Sequence, residues 1–297
     1  MKRVVTLSVV CLMACAGLLI WGFANTAAPS AQGEPPEVLL LVADDTGSFP
    51  MQLKKGLQEA VQSLGGRLNA ETPAGIPLDA PDEAFLSYDA VYLLMADPKA
   101  LLDRLSGLAI PAILLNGEIR GENGVVFGEE EGGRQLGLLA LRQQQTGSLH
   151  ILVDQEDPRQ ALRLRGLLAA FEGRETLLHA PGSVQPEQLQ SAACVLALSG
   201  RMMEQAAAWK AAELLPLSLP LYGFEGEDIR VRLMEEGLVQ AAAVSSPYTM
   251  GYMAGSMLRL MQNGQLKPSV SLVSLRLVTP ETLYDADNVK EMFPLLQ

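Results

Sequence analysis

The chain has 297 residues, 48% of them apolar and only 5% aromatic, and carries a net charge of −12. That length suits two modest lobes or one large one with a mainly aliphatic core. No basic run follows Arg3, so a grip on nucleic acid phosphates is not expected, and two His with one Cys beyond the leader cannot build a zinc cluster.

The N-terminus reads as an export segment. Met1-Lys2-Arg3 precedes residues 4–23, an apolar stretch broken only by Thr6 and Ser8. Such a helix is long enough to cross a hydrocarbon core of about 30 Å. Positive charge before it and none just after it places the N-terminus inside and the rest of the chain outside. Residues 1–24 are therefore expected to be a signal peptide or a signal anchor. Three fates remain open at this point: an uncleaved membrane anchor, cleavage near Thr26-Ala27-Ala28, or lipidation at Cys15 in Leu12-Met13-Ala14-Cys15. Each exports the domain to the extracytoplasmic side. Residues 25–36, rich in Ala, Pro, Ser and Gly, read as a flexible tether. Cys194, in an apolar run, reads as a buried core residue.

From residue 37 onward, short β-rich runs alternate with amphipathic segments. An apolar strand at 38–43 leads through a polar turn to a helix at about 50–64. Leu53, Leu57, Ala60, Val61 and Leu64 fall on one face of that helix, and Gly65-Gly66 ends it. Further strands are expected at 90–95, 112–115, 149–153, 194–198, 221–224 and 241–244, with a last strand-rich run at 270–278. Helices are expected at 98–105, 130–144, 158–171, 202–215, 229–236 and 248–262. Continuous apolar strands alternating with helices predict an α/β fold of parallel sheets covered on both faces. Two such series flank the Gly-rich stretch 117–128, in which residues 121–124 read as a turn. The spacing predicts two doubly wound, Rossmann-like lobes, and the strand-rich run after the second series implies that the chain crosses back between them. In open α/β sheets, ligands bind beyond the carboxyl ends of the strands.

Asp44 and Asp45 are adjacent, so they point to opposite sides and serve a shared acid–base role poorly. They read as one wall residue and one turn residue. Glu129-Glu130-Glu131 opens a helix and reads as a solvated cap favourable to the helix dipole. Met250, Met253 and Met257 lie at helical spacing and read as core. No nucleophile–base pair, metal set or phosphate loop is visible, so the chain is expected to be neither an enzyme nor a carrier of a cofactor.

Five segments carry a resemblance: VLLLVADDTGSFPMQLKKGLQEAVQSLGG at 38–66, DAVYLLMADPKALLDRLSGLAIPAILLNG at 89–117, FGEEEGGRQLGLLAL at 127–141, RLRG at 163–166, and 222–264 from YGFEGEDIR to LMQNG. In this order the chain resembles the type 1 periplasmic binding proteins, the sugar-binding receptors of ABC importers that share their core with lactose-repressor-like regulators. The resemblance spans about residues 37–285. It implies two lobes joined by hinge crossovers, residues 37–127 with 246–275 and residues 128–245 with 276–297, that close on a small polar ligand, a sugar or related polyol, at Phe49, Asn116, Arg163, Ser199, Glu225 and Ser245. Several of these depart from the family pattern. Pro50 replaces a second aromatic beside Phe49, and Asn116-Gly117 stands where an Asp-Arg pair is usual. Ser199-Gly200 replaces Asn-Asp, Glu225 replaces Asp, and Ser245 replaces a polar amide or similar residue. For Arg163 the other reading is an ion pair with Asp157 or Glu156. The partner implied is an ABC permease. The alternative is a membrane-anchored sensor or partner-interaction protein with a diverged pocket, working with a histidine kinase or chemoreceptor.

Overall fold

The computed structural model of the chain describes residues 35–117, 123–143, 147–224, 229–262 and 269–292. The leader, nearly all of the tether and Glu225 lie outside the described residues. Residues Pro36–Gln297 form one compact unit. No helix among the described residues is long and apolar enough to cross a membrane.

The first half runs β1 (Glu37–Val42), α1 (Ser48–Ser63), β2 (Arg67–Glu71), β3 (Ala90–Leu94), α2 (Lys99–Gly107), β4 (Ala112–Leu115) and β5 (Asn123–Phe127). The second runs α3 (Glu129–Gln143), β6 (Leu149–Leu152), α4 (Pro158–Ala170), β7 (Thr176–His179), β8 (Cys194–Ala197), α5 (Gly200–Ala211), β9 (Leu221–Phe224), α6 (Ile229–Glu235) and β10 (Ala241–Val244). The chain then continues through α7 (Pro247–Gln262), β11 (Val270–Val273), β12 (Arg276–Val278) and α8 (Ala286–Met292). These strands make two six-stranded sheets, ordered β11-β5-β4-β3-β1-β2 and β12-β10-β9-β8-β6-β7. Every pairing is parallel except β10 with β12, which is antiparallel. The fold is therefore two-lobed α/β.

β1 shows why the strand sequences are apolar throughout. Its Val38, Leu40 and Val42 pack under α1 and α7, while Leu39 and Leu41 pack on the opposite side with Leu101 and Leu105 of α2. A strand buried on both faces cannot alternate with polar residues. The second sheet repeats the arrangement. Leu149, Ile151 and Leu196 face Leu136 of α3 and Leu167 of α4. Leu152, Val195 and Ala242 face Met203 of α5 and Leu233 of α6.

The chain passes between the sheets three times: after β5, between β10 and α7, and between β11 and β12. The first and third passes are tied together, for the Gly128 N–H donates to the Val273 carbonyl at 2.9 Å. The strand-rich run at 270–278 is thus split between the two sheets.

Three strands and one helix were not foreseen, and one expected turn is corrected. Asn123 and Gly124 belong to β5, because β4 pairs with both and β11 pairs with Gly124 on the other side. Sheet pairing here overrides the turn preference of these residues. β2 and β7 are edge strands whose exposed or half-buried side chains leave no apolar run to read. α8 is a single short segment, Ala286–Met292, with no long apolar stripe to announce it.

The acidic start of α3 also needs correction. Glu130 and Glu131 are exposed and paired, to Arg165 at 2.5 Å and to Arg134 at 2.6 Å. Glu129 is not a solvated cap. It is only 4% exposed and faces Arg163.

Candidate ligand cleft

α4 begins at the carboxyl end of the second sheet. The Asp157 carboxylate accepts from the Arg159 N–H at 2.9 Å and the Gln160 N–H at 3.4 Å, and Pro158 follows it at the first helical position. This is a strong start signal, since the cap satisfies otherwise orphaned donors and proline needs none. Partial burial raises the Asp157 carboxyl, but hydrogen bonds from the Gln160 side-chain amide, at 3.2 Å, and from these two backbone N–H groups outweigh it and hold the group below its ordinary range.

Arg163 follows one and a half turns later and is 6% exposed. Its Nε–H donates to Glu129 Oε2 at 2.7 Å and its Nη2–H to Glu129 Oε1 at 3.0 Å, a two-pronged carboxylate contact. Nη1–H donates to the Leu198 carbonyl at 2.9 Å, and the guanidinium lies 4.5 Å from the Phe224 ring centre. Arg163 thereby ties the entry of the chain into the second lobe to the ends of β8 and β9. It pairs with Glu129, while the Asp157 carboxylate caps α4. No sequence signal joins two residues 34 positions apart, so Glu129 could not be singled out beforehand.

A cavity of about 570 Å³ opens beside this pair. Asn116, Val126 and Phe127 come to it from the first lobe, and Asp157, Arg159 and Leu162 from the second. Asn116 sits at the carboxyl end of β4 with φ at 54°, in the left-handed region that Asn tolerates better than most residues. Its N–H donates to the Val125 carbonyl at 2.9 Å. Phe49, in the first turn of α1, stands edge-on to Phe127 with ring centres 6.3 Å apart. A second chamber of about 410 Å³ shares Val126, Phe127, Glu129 and Leu162 with the first and extends to Leu272.

The residues expected at the site are therefore placed unequally. Asn116 lines the cavity, and Phe49 reaches it through Phe127. Arg163 stands behind Glu129. Ser199 caps α5, accepting from the Met202 N–H at 3.4 Å. Ser245 is buried at the end of β10, and Glu225 lies outside the described residues. Phe127, Leu162 and Arg159 were missed, because nothing in their sequence neighbourhood distinguishes a cavity wall from ordinary packing. The two adjacent aspartates part as expected: Asp44 closes a turn onto Thr46, at 2.9 Å to its N–H and 2.6 Å to its hydroxyl. Asp45 borders a separate dimple of about 200 Å³ with Lys54 and Glu71.

No family model matches the chain, and no curated protein matches it. Solved structures do. The sugar-binding protein of a sugar ABC transporter from Bacillus halodurans is 12% identical, with a TM-score of 0.73 over 84% of this chain and 99% of that one. The arabinose-binding protein AraP from Geobacillus stearothermophilus is 15% identical, with a TM-score of 0.70 over 84% and 98%. An ABC transporter solute-binding protein from Agrobacterium vitis, bound with α-D-tagatopyranose, is 14% identical, with a TM-score of 0.67 over 86% and 99%. The chain has the type 1 periplasmic-binding-protein fold. The cavity between Asn116 and α4 lies beside the carboxyl ends of β4, β5 and β6 and is lined from both lobes.

Proposed function

We propose that the chain is an extracytoplasmic solute-binding protein, rather than an enzyme, which closes its lobes around a sugar or related polyol and delivers it to an ABC importer. The observation that carries this reading is the cavity of about 570 Å³ walled by both lobes beside their crossings. Its size lies within the range of about 300–1,000 Å³ usual for small-molecule sites. A ligand touching both walls stabilises the closed form over the open one, which is the requirement for ligand-driven closure. The permease reading is preferred to the sensor reading because the structural neighbours named above include solute-binding proteins of ABC transporters.

Within this reading, residues 37–127 with 246–275 and residues 128–245 with 276–297 move as the two lobes. Residues 1–24 export the protein and hold it at the membrane surface. Asn116 and Phe49 meet the ligand from the first lobe, and Ser199, Glu225 and Ser245 close on it from the second. Arg163 shapes the wall through Glu129. Calorimetric titration against pentoses, hexoses and inositols tests the proposal. Saturable binding, weakened at least tenfold by Asn116→Ala, is the expected result. No heat from any sugar, polyol or glycoside would overturn it.

A further inference from the structure

Among the described residues, the charged groups at the cavity wall stand in opposite-sign pairs. Glu129 is paired with Arg163 at 2.7 Å, and Arg159 stands 3.9 Å from Asp157. The acidic residues of the adjoining chamber, Glu130 and Glu131, are held by their own arginines. An anionic ligand would meet no uncompensated positive charge among the described residues, and burying such a charge unpaired is costly.

The remaining wall is largely apolar. Val126 of β5 and Leu272 of β11 are register partners, and Val270 lies two residues before Leu272 on the same face of the sheet. Val270 is 45% exposed and Leu272 63%. Leu162 of α4 borders both chambers. Apolar side chains on both sides of a cleft gain free energy when a ligand removes them from water. Asn116 offers an amide that can both donate and accept at the first-lobe wall.

Resting on the receptor reading above, we infer that the cleft takes an uncharged ligand in which a hydroxylated ring carries an apolar or aromatic substituent, as in an aryl glycoside or a nucleoside. The ring is read by Asn116, and the substituent lies along Val126, Leu162 and Val270. A free monosaccharide fills only the polar part of this surface.

Titrations of the full chain with matched ligands test the inference: methyl against phenyl β-glucoside, ribose against adenosine, and adenosine against its 5′-monophosphate. Each buried methylene equivalent contributes roughly fourfold in affinity. In at least one series the substituted compound should bind ten times or more tighter than its parent. The monophosphate should bind at least tenfold more weakly than adenosine. Leu162→Asn should shrink the advantage of the substituted compound while leaving the parent's affinity nearly unchanged. Val270→Ser, on an exposed position, does the same if Leu162→Asn fails to fold. Parents that bind as tightly as substituted compounds in both series overturn this inference and leave the receptor reading standing. A monophosphate that binds as tightly as adenosine, or an advantage untouched in both folded variants, also overturns it. No binding by any compound overturns the receptor reading and this inference with it.

Discussion

In the first lobe α7 lies on α1, and a methyl group added at Gly251 or Gly56 would strike the carbonyl of Leu53 or Tyr248. In the second lobe α3 lies on α4, and a methyl added at Gly133 or Gly166 would strike the carbonyl of Arg163 or Glu130. Each pair sets the helix that follows a crossing against a helix at the start of a lobe's own series. The contact is backbone to backbone in both. What differs is the polar chemistry around it. The first pair is bordered by neutral donors: the Tyr92 hydroxyl donates to the Ala254 carbonyl at 3.1 Å, and the Tyr248 hydroxyl to Glu59 at 2.5 Å. The second pair is pinned by charge, with Glu129 and Arg163 buried beside the cleft. Glycine contacts set how near two helices come, whereas a buried ion pair also fixes which groups face the cavity.

The largest expected effect breaks that difference. Glu129→Ala leaves a buried guanidinium without its carboxylate and should cost about 3–5 kcal/mol of stability in urea titration. Replacing both partners, Glu129→Leu with Arg163→Met, should cost far less, because no buried charge is left over. In the first lobe, Tyr248→Phe removes an exposed hydrogen bond and should cost about 1 kcal/mol or less. A Glu129→Ala loss no larger than the Tyr248→Phe loss would show that the second lobe does not depend on charge.

The glycines come next, and they sharpen what the two lobes share. Gly251→Ala and Gly166→Ala each force a methyl group into a carbonyl that cannot rotate away. Each should cost about 1–3 kcal/mol by thermal unfolding, with similar losses in the two lobes. A large loss in one and none in the other would mean that only one helix pair is closely packed.

The strands that form the sheet centres were legible from sequence, because burial on both faces leaves continuous apolar runs such as residues 38–42. Edge strands were not, since β2 and β7 expose much of what they carry. The cleft was legible only where a position follows directly from strand order, as Asn116 does at the end of β4. Glu129 looked like any acidic helix start, and Arg163 looked like a group reaching for solvent or ligand. Their pairing depends on the crossing that brings α3 against α4, a long-range fact with no local trace. The same holds for Leu162, Val126 and Val270, which share a cavity only through sheet register and helix placement.

The smallest effect concerns a feature of the second lobe that the first cannot match, because the chain's only two histidines are both there. His150 Nδ1 lies 2.9 Å from His179 Nε2. The ring planes differ by 15° with centres 5.1 Å apart, so the rings meet nearly end to end through one shared proton. The Ser148 hydroxyl is 3.2 Å from the other His150 nitrogen. Burial lowers both pKa values, and repulsion between the rings lowers that of His150 further, while Glu175 opposes it. The folded state therefore binds fewer protons than the unfolded chain near the ordinary value of 6.5. Stability from this pair is present above that pH and is lost as the pH falls through 6.5 toward the lowered folded values. Thermal unfolding should show a decline between about pH 6.5 and 5, above the ordinary carboxylate range. The double variant His150→Gln, His179→Gln should flatten that decline. If the decline persists unchanged in the double variant, the proton sensitivity resides in carboxylates and the histidine pair is only a packing contact.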